Sequence, residues 1–190
     1  MNTNTLSRLL KNLAVIAGIF SVSALVTVPA RANHHGEIKM STSNKNLVEV
    51  AVANDSFDTL VKAVQAAGLA DTLANGSYTV FAPTDLAFEQ SLPEGALEFL
   101  VKPENKNLLR QVLSYHVVKG KVTSNQLSTG NVDTLYGGVA VRVTPQRVIV
   151  NNASVTNANI VASNGVIHAV NRVLLPQQLR QQIASQLAMQ

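Results

Sequence analysis

Apolar positions follow a helical period in the first half of the chain and a strand period in the second. Asn46 stands three residues before Glu49, the spacing of a helix cap in which each side chain meets the other's backbone. Leu47, Val50 and Ala51 continue that helix on one face. Ser56 precedes Phe57, Leu60, Val61 and Val64, a stripe at i, i+3, i+4 and i+7 that predicts a core-facing helix closed by Gly68. Leu69 to Leu73 predict one more turn before Asn75-Gly76. Thr84 predicts a cap for a short helix through Leu86, Ala87 and Phe88. Pro93 and Pro103 mark two further helix starts, the second carrying Leu108, Leu109, Val112 and Leu113.

Strand signals interrupt and then replace this pattern. Tyr78 to Ala82 is rich in β-formers and stops at Pro83. Ser114 to Val118 predicts a second strand, with Lys119-Gly120 closing it; neighbours on it, such as Tyr115 and His116, point to opposite faces. From Val132 onward strands dominate. Val139, Val141 and Val143 alternate with polar or small residues, as do Val148 and Val150, with turns expected at Gly137-Gly138 and Pro145-Gln146. Asn164-Gly165 predicts a hairpin joining Asn159–Ala162 to Val166–Val170, the latter apolar on both faces and therefore central in its sheet. Helices first and strands later predict an α+β fold. After Pro176, Leu179, Ile183 and Leu187 recur every four residues and predict a C-terminal helix over 177–190 that packs on its own domain.

The N-terminus carries a different message. Arg8 and Lys11 precede an uncharged apolar run from Leu13 to Val28, followed by Ala30-Arg31-Ala32. That layout predicts a secretory signal peptide over 1–32, cleaved after Ala32, and a polar flexible leader over 33–45. Removing 32 of the 190 residues leaves 158, and of the 15 basic residues it leaves 12 against 11 acidic ones. The near-neutral remainder has no basic cluster for phosphate, so nucleic acid is not an expected partner. The exported chain is expected to be secreted, extracellular or periplasmic, with no stable membrane anchor after cleavage.

Candidate chemistry is sparse. With no Cys there is no thiol nucleophile, thiolate metal site or disulfide frame. There is no Gly-x-Ser-x-Gly elbow, His-Glu-x-x-His pair or phosphate-cradling glycine loop, and the 11 acidic residues are scattered, so no enzyme is expected and no cofactor is assigned. His116 is expected to be a hydrogen-bonded core residue. His168, on the face of Val166 and Val170, is expected to be buried and to donate to a backbone carbonyl or nearby side chain. Cleavage after Ala32 would expose Asn33-His34-His35, whose free amine, two backbone amides and third-residue imidazole can surround Cu(II) or Ni(II) in a square plane.

Two blocks, Tyr78 to Phe88 (YTVFAPTDLAF) and Asn159 to Pro176 (NIVASNGVIHAVNRVLLP), flank Leu113-Ser114-Tyr115-His116-Val117-Val118. Their order and spacing resemble the fasciclin domain, across about Asn46 to Pro176. The resemblance implies a fasciclin-like compact wedge of β-strands with N-terminal helices, over 46–176. It also implies an adhesion or surface-interaction module that binds an extracellular protein, a cell surface or a matrix glycan. The alternative it implies is a binder of a small apolar ligand such as a carotenoid. By motif, Tyr115, His116, Asn159 and Ile160 are the partner-binding candidates. In animal members an Asp-Ile pair in the second block is linked with integrin binding; here it is Asn159-Ile160, and a later acidic position is Asn171. Both changes remove a carboxylate that could meet a cation or a basic partner.

Overall fold

The structure is a computed structural model that describes residues 44–189. The expected signal peptide and the Asn33-His34-His35 copper site lie outside the described residues.

The helical half is built much as its apolar spacing requires. α1 (Leu47–Val52) begins at Asn46, whose Oδ1 accepts from the Val48 and Glu49 N–H groups while Glu49 returns a carboxylate to the Asn46 N–H. The next start lies two residues before Ser56 and is 3₁₀, not α. Asn54 caps a 3₁₀ turn, Asp55–Phe57, which runs into α2 (Asp58–Ala67) and ends at Gly68 with φ +67°. α3 (Ala70–Asn75) follows. β1 (Tyr78–Pro83) leads to α4 (Asp85–Ser91), capped by Thr84 as expected. α5 (Ala96–Val101) starts behind Gly95, and a 3₁₀ turn at Pro103–Asn105 opens α6 (Lys106–Ser114).

The strand expected over Ser114–Val118 is shorter. α6 runs through Ser114, Tyr115 stays in the helical region, and β2 covers only Val117–Lys119. The local β-propensity loses to hydrogen bonding: Tyr115 N–H donates to the Gln111 carbonyl, and His116 N–H donates to that of Leu113. β3 (Gly130–Thr134), β4 (Gly137–Val143), β5 (Val148–Val150), β6 (Ala153–Ala162) and β7 (Gly165–Val170) complete the sheet. The β3–β4 turn is Leu135-Tyr136 rather than Gly137-Gly138, which already belong to β4.

The seven strands pair in chain order and close into a barrel. Every pairing is antiparallel except the closing one, where β1 lies parallel to β7 with Tyr78 opposite Gly165 and Pro83 opposite Val170. A closed sheet leaves no free edge to aggregate. Alternation along β1 and β7 sorts two cores. Val80, Ala82, Ile167 and Ala169 join the helices, whereas Phe81 and Val170 join Tyr115, Val139, Val141 and Val150 in the second. β7 is buried along its whole length, as its two apolar faces predict. α7 (Gln177–Leu187) buries Leu179 and Ile183 in the helical core and packs against α5.

Asn164 pins the hairpin before β7 to the helices. Its Oδ1 accepts from Leu47 N–H at 2.8 Å, and its Nδ2 donates to the carbonyls of Leu73, Ala74 and Gly76. The Asn-Gly signal therefore marks the right place for a different reason. The two-residue loop is Ser163-Asn164, the asparagine clamps α1 and α3, and Gly165 is already a strand residue.

Candidate functional site

The sequence candidates fall in two places: Tyr115 and His116 follow one another at the end of α6, with Tyr115 in the second core, whereas Asn159 and Ile160 lie on β6, with Ile160 against the helical core. Tyr115 is 6 % exposed and His116 is 1 % exposed. They leave one turn of chain in different directions, although that turn is helical and not extended. The Tyr115 hydroxyl donates to the Gly138 carbonyl at 3.0 Å and accepts from Asn151 Nδ2 at 3.1 Å. Asn151 sits at φ +53°, in the left-handed region that asparagine tolerates better than most residues, and its Oδ1 accepts from Ala140 N–H. Tyr115 thereby joins the end of α6 to β4 and to the turn after β5.

His116 does the equivalent work on the other side. Leu174 N–H donates to its Nε2 at 2.8 Å, so Nδ1 carries the proton and donates to the Val112 carbonyl at 2.7 Å. One imidazole caps α6 and holds the segment that follows β7. Burial pushes its pKa from 6.5 down to about 4, against the opposing pull of the Val112 carbonyl, so it is neutral at pH 7.

His168 is fully buried and carries the other tautomer. Asn159 N–H donates to its Nδ1 at 3.2 Å, which leaves Nε2–H to donate to the Val122 carbonyl at 2.9 Å. The backbone acceptor expected from its position between valines is Val122. Its ring stacks on Phe81 with centroids 5.7 Å apart. Burial lowers its pKa too, opposed by the Val122 carbonyl.

Asn159 lies on the surface of a bulge in β6, where the register with β7 shifts between Asn157 and Ile160. It holds φ +60°, and its amide closes on Ser124, accepting from the Ser124 N–H and donating to Ser124 Oγ at 2.8 Å each. An aspartate here could accept from the same N–H but could not donate to the hydroxyl. Ile160 is half-buried opposite Ile167 and rests on the helical core. Asn171 accepts from Ser154 N–H and tidies the far end of the β6–β7 pair. Ser124 and Asn151 were not singled out by sequence; Asn151, like Asn159, holds left-handed backbone, and nothing in a chain this rich in Asn marks it.

Among the described residues, no group of His, Asp and Glu could hold a metal ion, and no helix is long and apolar enough to cross a membrane. Among the same described residues, every buried side-chain nitrogen and oxygen has a hydrogen-bond partner. Both imidazoles are bonded at both nitrogens, so neither has a lone pair free to act as a base towards a substrate.

The family model for the fasciclin domain matches residues 55–176, which span β1 to β7 and all four candidate residues. The chain belongs to the fasciclin domain family. It is 48 % identical over 136 residues to Protein sll1483 of Synechocystis sp., covering 70 % of this chain and 75 % of that protein. It is 36 % identical over 155 residues to Immunogenic protein MPB70 of Mycobacterium bovis, covering 77 % and 78 %. Among solved structures it resembles a FAS1 domain pair from the insect cell adhesion molecule Fasciclin I, with a TM-score of 0.63, 16 % identity, and coverage of 72 % of this chain and 53 % of that one; the likeness is one of fold.

Within this fasciclin domain the Tyr-His pair works from the inside, and that makes a prediction. Tyr115→Phe removes a hydroxyl that satisfies both the Gly138 carbonyl and the Asn151 amide. The expected cost is about 1–3 kcal/mol, read as a lower urea midpoint with an unchanged slope. A variant as stable as the parent would show that these bonds do not hold β4 to α6.

Proposed function

We propose that this protein is an exported, non-catalytic fasciclin module that holds an extracellular protein or a surface glycan. The observation that carries the reading is the closed bookkeeping of the candidate region: Tyr115, His116 and His168 spend every polar atom on backbone or neighbouring side chains and keep the barrel in shape. What such a domain can offer is its surface, and of the four motif candidates the Asn159–Ile160 bulge is the part that reaches it. The fold shared with a protein described as a cell adhesion molecule supports the same direction.

A second reading, an apolar ligand such as a carotenoid, draws on a cleft between α1, α2 and the β1–β7 pair, lined by Leu47, Val48, Leu60, Val61 and Ile167. Its free volume is about 30 Å³, about the share of liquid volume taken by one water, so a ligand must first part the helices. Adhesion therefore ranks first.

Beads coated with the purified protein are expected to retain cells or extracellular polymer from its source organism, and heat-unfolded protein is not. The preparation is expected to be colourless. Coloured, pigment-bearing protein that retains nothing would move the assignment to the apolar ligand. Turnover of an ester or glycan, lost in a folded His168 variant, would end the non-catalytic reading.

A further inference from the structure

A cavity of about 190 Å³ opens between α4, the segment after β7 and α7. Two arginines line it, Arg172 from that segment and Arg180 from α7, with Gln90 and Asn152 beside them and Leu175 and Ile183 among its apolar walls. None of the residues that line it is acidic. Among the described residues, neither guanidinium is engaged in a hydrogen bond or an ion pair. Two like charges facing one cleft without a carboxylate leave a positive field that an anion relieves.

The backbone around this cleft is held from several sides. Ser154 N–H and Asn171 Oδ1 fix the residue before Arg172, and Val173 N–H donates to Ser91 Oγ at the end of α4, fixing the residue after it. Arg180 stands on the first turn of α7, between the buried Leu179 and Ile183 that dock the helix. Arg180 and Ile183 lie beyond residues 55–176, so the cleft depends on a helix outside the family match.

We propose that this cleft binds a carboxylate carried on a short apolar body. Guanidinium forks match the planar, two-oxygen face of a carboxylate. The wall formed by Leu175 and Ile183 suits a carbon chain behind that head group, and would leave the far oxygens of inorganic phosphate against apolar surface. At about 30 Å³ per water the space amounts to roughly six waters, enough for a small organic acid or the last residue of a peptide and not for a long lipid. The proposal stands independently of adhesion.

The test is an NMR titration of the full exported chain with hexanoate, hexanamide and inorganic phosphate. Hexanoate is expected to move the Asn152 and Ile183 resonances saturably, and hexanamide is not. Arg172→Gln and Arg180→Gln are expected to weaken hexanoate about tenfold or more each, with melting temperatures unchanged because both side chains are exposed. Arg172→Lys, which keeps the charge without the fork, is expected to fall between. A peptide ending in a free carboxylate that binds more tightly than hexanoate, and loses binding when amidated, assigns the site to a chain terminus; weaker peptide binding assigns it to a free acid. Equal binding of acid and amide, tighter binding of phosphate, no saturable shift, or folded arginine variants that bind like the parent would each overturn the proposal.

Discussion

Gly165→Ala is expected to yield little folded protein. A Cβ at this position would lie 2.1 Å from the Tyr78 carbonyl oxygen and 2.7 Å from Leu47 Cδ1. Tyr78 is the strand partner of Gly165 in the one parallel pairing, the one that closes the barrel. Neither obstacle can retreat cheaply. The Tyr78 oxygen is backbone, and Leu47 is buried behind the Asn46 cap with its N–H on Asn164. Overpacking of a fixed site costs 1–3 kcal/mol and sometimes more, and here the clash is with main chain, so roughly 4 kcal/mol or outright loss of the native state is expected. Gly120→Ala is the control, with open space around it but φ +86°. Its strain should cost only about 1–2 kcal/mol. Urea unfolding of the two variants side by side decides the matter. A Gly165→Ala protein within about 1 kcal/mol of the parent would mean that β1 and β7 do not close as described.

His116→Ala should be nearly as costly. It leaves the Val112 carbonyl and the Leu174 N–H buried without partners and opens a hole beside α6. Each orphaned group costs about 1–3 kcal/mol, so a total of roughly 3–5 kcal/mol is expected. A variant that melted like the parent yet failed to retain cells would reverse the structural role given to this residue. The same imidazole sets a pH dependence. Its folded pKa of about 4 lies below the unfolded 6.5, so the unfolded chain binds the proton first as pH falls. Stability is full above pH 6.5 and is lost progressively towards pH 4. Two and a half pKa steps correspond to roughly 3 kcal/mol. His168, also lowered, adds in the same direction. Unfolding free energy measured from pH 8 to pH 4.5 should fall in the parent and fall less steeply in a folded His116 variant. A flat parent profile would contradict the neutral, buried imidazole.

Much of this was readable in the chain, for reasons that differ from residue to residue. The Asn46–Glu49 box, the Gly68 stop and the Thr84 cap depend on groups within a few positions of one another, so local spacing sufficed. His168 was legible because a lone imidazole between two valines on a strand needs a carbonyl, and Val122 supplies it. Tyr115 and His116 were misplaced on a strand because β-propensity reports a preference that hydrogen bonding can override. Local bonds to Gln111 and Leu113 carry the backbone on as helix, and distant groups then fix the side chains: Leu174, 58 residues on, takes one imidazole nitrogen, and Gly138, 23 residues on, takes the tyrosine hydroxyl. Asn159 and Asn164 were noticed for the wrong properties, one for a missing carboxylate and one for a turn. Each instead satisfies backbone or hydroxyl groups on another element.

The order of residues by itself determined where most helices and strands lie, the end of α6 excepted, which faces are apolar, and that the domain is α+β, because those properties follow from periodicity and capping over a few turns of chain. Only the tertiary structure decided that the strands close on themselves through a parallel β1–β7 pair, which tautomer each histidine holds, and that two arginines eight residues apart face one cavity. These depend on where distant backbone groups come to rest once the two cores have formed, and no short window of sequence contains that information.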